Sequence, residues 1–377
     1  MYLTDVAVLR SPVRPALLVL PCALLVLTAC SSGDEAKGAA ALSVESGDDR
    51  CTLSRSDLPA GTNVLRLTNS GKQVTEVYLY GEGDRVVAEK ANLKPGDTYD
   101  MTAQVEAGSY EVACKPGQTG DGIRAALTVA GAAASQAPAQ AQAVEAYRSF
   151  VQSQADALVP LVEEFAAAVK AGDVVKAQAL YAPSREPWEA VEPVAESFGD
   201  LDPKVDLREA DLEPGQTWTG WHRLEKALWV DGSTAGQEPV ADQLVADVRD
   251  LQGRVATADL TVASIGNGAK ELLDEVATGK ITGEEEAFSH TDLVDFDANV
   301  VGARKAFEVL RPLLSDADLV AELDSAFTGV ETALAKYAEG DGYVSYDTVD
   351  EAGRRELSRV VDALGEPLSQ LTAAAVG

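Results

Sequence analysis

Hydrophobic positions divide the chain into a segment with the two-residue period of strands and a longer segment with the period of helices. Between residues 42 and 130, short apolar runs such as 74–79 alternate with polar positions, and turns rich in Gly, Pro and Asp separate them. Closely spaced short strands of this kind predict a small all-β sandwich or barrel.

From residue 144 to residue 377, apolar residues recur at helical spacing, and short polar turns interrupt them. We predict helices over 144–171, 173–198, 218–230, 237–262, 265–278, 291–314, 317–338 and 351–375. Short connections between such helices are typical of an antiparallel, all-α bundle domain. Residues 131–143, rich in Ala, Gln and Pro, are predicted to link the two domains.

The first 30 residues have the pattern of a bacterial lipoprotein signal peptide. An apolar run too short to span a membrane ends at Leu27-Thr28-Ala29-Cys30, and a small, polar tether follows at 31–41. This pattern predicts cleavage before Cys30, lipidation of its thiol, and attachment to the outer face of the cell membrane. A plain signal peptide with a chance cysteine is the alternative.

Composition narrows the classes of partner. The 377 residues include 31 Lys and Arg against 61 Asp and Glu, a formal net charge of −30. This charge would repel phosphates, so we expect no nucleic-acid binding. It would attract cations, although a high charge can also serve only to keep a surface soluble.

The most informative motif is His222-Arg223-Leu224-Glu225, an H-x-x-E motif. The chain has only two histidines, so the H-E-x-x-H zinc motif is absent. On a helix, His222 and Glu225 lie on one face, and bundle proteins present inward metal ligands at this spacing. Three tryptophans within 218–229 favour burial of the segment. The alternatives are a surface His–Glu pair and a buried histidine with a structural role.

Two acidic stretches are further candidates for chemistry. In the first, Glu189, Glu192 and Glu196 fall on one helical face, Pro193 starts or kinks a helical turn, and Asp206 follows. A solvated acidic face is the alternative. In the second, the glutamates at 284–286 precede a predicted helix, where negative charge also complements the helix dipole.

Cys51 and Cys114 are the candidates for chemistry in the β domain. In an oxidising compartment they predict a disulfide. A thiolate metal site that includes Glu76, Asp100 or Met101 is the alternative. A blue-copper centre is excluded because it needs two histidines and residues 42–130 contain none.

The segment Gly220-Trp221-His222-Arg223-Leu224-Glu225 matches the G-x-H-x-x-E signature of the imelysin-like family, once classed with metallopeptidases. Runs at 180–185, 192–202, 283–293 and 340–343 also resemble this family, and the resemblance covers 144–377. A lipobox, a β domain, a linker and an imelysin-like domain, in this order, resemble the iron-binding lipoproteins of Efe-type iron-uptake systems. The resemblance implies a cupredoxin-like sandwich followed by an imelysin-like domain of two packed helical bundles.

The resemblance also implies ligands for two metal sites. In the helical domain they are His222 and Glu225, with Glu189, Glu192 and Asp206 as the carboxylates. In the β domain they are Cys51, Glu76, Asp100 and Cys114.

The function implied is capture of iron, as Fe²⁺ or Fe³⁺, and its delivery to a membrane iron permease, with a dye-decolourising haem peroxidase as a further partner. The protein would then be a transport component and not an enzyme. A zinc-dependent hydrolase of the metallopeptidase type, a redox or copper protein, and a purely structural role are the alternatives. The oxidation state of the iron and metal exchange between the domains stay open.

Overall fold

The computed structural model describes residues 41–133 and 135–377. The predicted signal peptide 1–30, its Cys30 and the tether up to residue 40 lie outside the described residues. The described residues form a single compact unit in which the β domain and the helical domain pack together.

Within 41–133, nine strands form two facing sheets. The strands are β1 Leu42–Ser46, β2 Cys51–Leu53, β3 Asp57–Pro59, β4 Gly61–Asn69, β5 Thr75–Tyr80, β6 Val86–Leu93, β7 Thr98–Val105, β8 Gly108–Pro116 and β9 Ile123–Ala130. One sheet has the order β2-β1-β4-β7 and the other β3-β9-β8-β5-β6. Leu65 and Leu67 of β4 point into the core while Arg66 points outward, as the predicted alternation requires.

A disulfide joins the two sheets of the β domain. Cys51 on β2 is bonded to Cys114 on β8, with 5.5 Å between their Cα atoms. Cys114 is completely buried in the core between the sheets. Of the two roles considered for these cysteines, the structure therefore shows the disulfide.

Helices dominate the rest of the described chain. They are α1 Pro138–Lys170, α2 Val174–Glu189, α3 Glu192–Glu196, α4 Asp202–Val205, α5 Gly220–Trp229, α6 Glu238–Val255, α7 Val262–Glu275, α8 Asp292–Leu310, α9 Ala317–Leu334, α10 Glu351–Leu368 and α11 Leu371–Val376. A π-helical turn, Val276–Lys280, extends α7, and a small hairpin pairs β10 Ala338–Glu339 with β11 Gly342–Tyr343. A small all-β domain followed by an all-α domain confirms the predicted fold class.

Some helix boundaries differ from the prediction. The helix expected over 173–198 ends at Glu189, and Pro193 lies in the first turn of a separate helix, α3, where its missing N–H is tolerated. The helix expected over 237–262 ends at Val255, and Thr261 caps α7 by accepting a hydrogen bond from the Ser264 N–H. Helix α1 begins at Pro138, inside the predicted linker 131–143.

Helix α7 makes polar contacts with the β domain. Lys90 Nζ of β6 lies 2.8 Å from Asp274 Oδ2, and Asn267 Nδ2 donates to the Thr102 carbonyl of β7 at 2.9 Å. The Ala263 N–H donates to Gln104 Oε1 at 3.0 Å. Within the described ranges, no helix is long and apolar enough to cross a membrane.

Candidate metal centre

Helix α5 carries the H-x-x-E motif, and its position depends on Gly220. This glycine has a φ of 81°, and a Cβ there would lie 2.0 Å from the carbonyl oxygen of Val205 at the end of α4. Only glycine fits such an approach in the left-handed region. The close contact turns His222 and Glu225 inward, where they are 1% and 0% exposed.

Carboxylates surround both nitrogens of the His222 imidazole. Nδ1 lies 3.2 Å from Glu225 Oε2, and Nε2 lies 3.2 Å from Asp206 Oδ1 and 3.7 Å from Glu285 Oε1. Although Nε2 is buried, no acceptor or donor meets it with hydrogen-bond geometry. A buried polar atom without a partner is costly, and a metal ion coordinated by Nε2 would satisfy it.

Two groups of possible ligand atoms contain His222. In one, Asp206 and Glu285 accompany it, and in the other Glu225 and Glu286 do, with all ligand atoms of a group within 4.8 Å of one another. We call these five residues the His222 centre. One imidazole with several carboxylates is a donor set that suits iron, manganese or zinc.

Backbone groups hold Glu225 in place. The N–H groups of Phe288 and Ser289, in the loop before α8, donate to Glu225 Oε1 at 2.9 and 2.6 Å. This leaves Oε2 facing the imidazole. The same loop presents Glu286, whose Oε2 accepts from the Ser289 hydroxyl at 2.7 Å. The loop before α8 therefore presents possible ligands and also orients the H-x-x-E glutamate.

A buried arginine neutralises part of the charge of the centre. Arg185 on α2 is fully buried and donates to Glu189 and Asp206. Its Nε lies 3.0 Å from Glu286 Oε1 and 3.2 Å from Asp295 Oδ2. Such charge-assisted contacts orient the carboxylates around His222.

The surroundings shift the protonation of these groups. Burial opposes the imidazolium, but the negative charges of Asp206, Glu225 and Glu285 close to the ring outweigh burial and raise the pKa of His222 well above its usual value. Burial also opposes charge on Asp206 and Glu285, yet Arg185 lowers the pKa of Asp206 and Lys280 that of Glu285. Both carboxylates are therefore ionised and available as ligands at neutral pH.

Burial dominates at Glu286. Together with repulsion by Glu225, it raises the pKa of Glu286 to about 7. This carboxyl would therefore exchange a proton near neutral pH.

Of the predicted ligands in the helical domain, the structure brings Asp206 and Glu225 to His222. Glu189 is held by Arg185 and by Lys280, whose Nζ lies 3.2 Å from its Oε2. Among the described residues, neither group of ligand atoms around His222 includes Glu189 or Glu192. Helix α2 ends at Glu189 and a separate helix, α3, begins at Glu192. The two glutamates therefore do not lie on the one face of a continuous helix that the sequence predicted.

Sequence reasoning missed Glu285, Glu286 and Arg185 as parts of the centre. The position of the glutamates before a helix predicts only charge that complements the helix dipole, and no motif predicts a role for Arg185. Runs 180–185 and 283–293, which resemble the imelysin-like family, contain all three and were the available signal.

The structure does not bring the four predicted β-domain ligands together. Cys51 and Cys114 are bonded to each other, so neither offers a thiolate. Glu76 alternates along β5 with the inward Val77, and it accepts hydrogen bonds from Tyr78 and Gln118. Asp100 forms a two-bond pair with Arg66 on the outer face of the other sheet. The two carboxylates therefore lie outside the sandwich core, on different sheets.

Comparison with protein families identifies both domains. A family model described as Imelysin matches residues 143–371, which is more than half of the chain. The chain belongs to the imelysin family. A second model, described as a cupredoxin-like domain, matches residues 20–129. Both matches agree with the resemblance drawn from the motifs.

Curated relatives cover both domains of this imelysin-family chain. The iron uptake system component EfeO of Escherichia coli strain K12 is 40% identical over 332 residues, which is 86% of this chain and 88% of EfeO. The proteins of the same name from Escherichia coli O157:H7 and Shigella flexneri have the same identity and coverage. An alignment of this length exceeds the imelysin region, so the similarity extends into the β domain.

Proposed function

We propose that this protein is an extracytoplasmic, lipid-anchored component of an Efe-type iron-uptake system, which binds iron at the His222 centre and delivers it to a membrane iron permease. The observation that carries the proposal is the buried His222 Nε2, which makes no hydrogen bond although Asp206 and Glu285 oxygens lie near it. The names of the relatives support iron as the cargo.

The donor set fits iron in either oxidation state. Carboxylate oxygens favour hard cations, and one imidazole adds affinity for Fe²⁺. Copper and zinc are the competitors that this donor set would also accept. A dye-decolourising haem peroxidase would be a further partner.

The burial of the centre favours carriage over hydrolysis. A hydrolytic metal needs an open coordination position with a water and access for the substrate. The side chains of His222 and Glu225 are 2% and 0% exposed. A peptide bond could not reach a metal held between them without opening of the loop before α8, so we propose that the protein is not an enzyme.

The test is iron titration of the full chain, with Fe²⁺ under anaerobic conditions and Fe³⁺ citrate in air. We expect His222→Ala with Glu225→Ala to abolish binding at this centre. His290→Asn is the matched control, because it removes the other imidazole and asparagine tolerates the positive φ of 57° at that position. Zinc binding without iron binding would overturn the proposal.

The transport step needs a cellular measurement. We expect cells that carry the double variant to lose radioiron uptake while cells with the His290→Asn variant retain it. Full uptake with the double variant would contradict the proposed role of the His222 centre.

A further inference from the structure

A second group of carboxylates lies beside the His222 centre, on the short helix α3 and the end of α7. Glu192, Glu196 and Glu275 each offer an oxygen within 4.8 Å of the oxygens of the other two. We call these three residues the α3–α7 cluster. None of them belongs to the His222 centre.

Two oxygens of this cluster are buried without a hydrogen bond. Glu192 is only 6% exposed, and its Oε2 meets no donor. Glu275 Oε2 is also buried without a hydrogen bond, and the nearby Lys280 Nζ lies 3.7 Å from it. That ammonium lies closer to Glu189 Oε2, at 3.2 Å, so its charge is shared. Facing carboxylates without donors need a bound cation or a shared proton.

The cluster opens on a cleft between the β domain and the helical domain. Glu196 lines this cleft together with Glu89 of β6 and Glu271 of α7. The Glu275 side chain is 28% exposed, whereas the His222 side chain is 2% exposed. The cluster therefore lies nearer to solvent than the His222 centre, and acidic side chains line the way to it.

Shared ligands connect the cluster with the His222 centre. Glu192 forms a further group of close carboxylate oxygens with Asp202 and Asp206, again within 4.8 Å. Asp206 in turn lies 3.2 Å from His222 Nε2. Carboxylates spaced in this way would let a cation exchange ligands stepwise without crossing apolar packing.

Electrostatics agree with a missing positive charge. Burial is the main cause that raises the pKa of Glu192, and repulsion by Glu275 adds to it. The same two causes raise the pKa of Glu271 to about 8. Burial also raises the pKa of Glu196, with Glu89 and Glu275 adding to the shift. A cation among these oxygens would offset this repulsion.

We propose that Glu192, Glu196 and Glu275 form a second site for a hard cation, at which iron is held between the interdomain cleft and the His222 centre. An all-carboxylate donor set prefers hard, highly charged ions, so this site takes Fe³⁺ in preference to copper or zinc. The identity of the ion rests on the proposed function, whereas the site itself rests on the unpartnered oxygens.

Counting bound iron tests this site. The full chain is incubated with Fe³⁺ citrate, separated by gel filtration and analysed for iron per chain. We expect about two ions in the wild type, about one in Glu196→Gln, about one in His222→Ala and none in the double variant. The matched control is Glu322→Gln, because Glu322 is an exposed glutamate on α9. We expect this variant to keep both iron ions. Circular dichroism melts establish that each variant is folded.

The outcomes separate this inference from the proposed function. One bound ion in the wild type, removed by His222→Ala and unaffected by Glu196→Gln, would overturn the second site and leave the proposed function intact. It would mean that the cluster shares protons. Iron that survives His222→Ala but is lost in Glu196→Gln would support the second site and contradict the His222 centre as the iron site. Two ions in Glu196→Gln would also overturn the second site.

Discussion

Two neighbouring glutamates in the loop before α8 have very different surroundings. Glu285 Oε1 lies 3.7 Å from His222 Nε2, and Arg208 Nη1 lies 3.2 Å from the other oxygen of Glu285. Glu284 is exposed. We expect Glu285→Gln to weaken iron binding on the order of 10- to 100-fold, because it removes a charged ligand, and Glu284→Gln to leave it unchanged. Chelator-competition titration measures the iron affinity of both variants. Equal affinities would contradict the assignment of Glu285 as a ligand.

The raised pKa of His222 predicts that iron binding is coupled to proton release. Its imidazole is protonated at neutral pH because three carboxylates outweigh the effect of burial. Iron must displace that proton from Nε2, so affinity should fall by about tenfold for each pH unit below this pKa. Calorimetry in two buffers of different ionisation enthalpy counts the protons. Release of none would contradict coordination by His222.

Residue spacing alone predicted only the motif pair of the centre, whereas Asp206 was expected from the family resemblance. His222 and Glu225 are three residues apart on one helix, so their common face followed from helix geometry alone. Glu285 reaches His222 from a loop more than sixty residues away, and Arg185 reaches Asp206 and Glu286 from α2. Such contacts depend on how helices pack, and periodicity does not encode this.

At the scale of elements, the approach of α5 to α4 fixes the position of the H-x-x-E pair. We expect Gly220→Ala to destabilise the fold and weaken iron binding, because its Cβ would meet the Val205 carbonyl at 2.0 Å in a strained backbone conformation. Thermal unfolding and iron titration measure the two effects.

Gly253→Ala is the matched control for Gly220→Ala. Gly253 lies within α6, and a Cβ there would meet nothing within 4 Å. Alanine should stabilise this helix by about 0.5–1 kcal/mol and leave iron binding unchanged. A Gly220→Ala variant that behaves like this control would show that the close approach is unimportant.

The existence of most helices was predictable from apolar periodicity, but their ends were less so. Pro193 was expected to start or kink a helical turn, and it does begin α3. The break lies before it, at Ala190 and Val191, because Pro193 has no N–H to donate to the Glu189 carbonyl. Packing satisfies that carbonyl, which accepts from Asn299 Nδ2 of α8 at 2.9 Å. Helix α8 also approaches closely at Gly302, where a Cβ would lie 2.3 Å from the Ala190 carbonyl.

At the scale of the whole molecule, the disulfide and the His222 centre belong to different domains. We expect Cys51→Ser with Cys114→Ser to destabilise the β domain by about 2–4 kcal/mol, since the bond closes a long loop with a sequence separation of 63. Iron binding at the His222 centre should persist. Denaturant unfolding and iron titration check both, with the exposed Ser109→Ala as control. Loss of that iron would favour the alternative in which Cys51 and Cys114 bind metal as thiolates.

The order of the two domains could be read from the sequence, but their contact could not. Asn267 and Asp274 lie on one helix, α7, and each meets a different strand of the β domain. These pairings join residues more than 150 positions apart. Only the folded chain shows that the acidic face of α7 borders the interdomain cleft.

The buried Arg185 gives the acidic centre a permanent internal counter-ion. In small zinc domains, the metal itself supplies the positive charge, so chelation unfolds them. Here a guanidinium of the chain itself contacts Glu189, Asp206, Glu286 and Asp295. Under the proposed function, the scaffold would keep this counter-ion during iron starvation, so each copy could release its iron and be filled again.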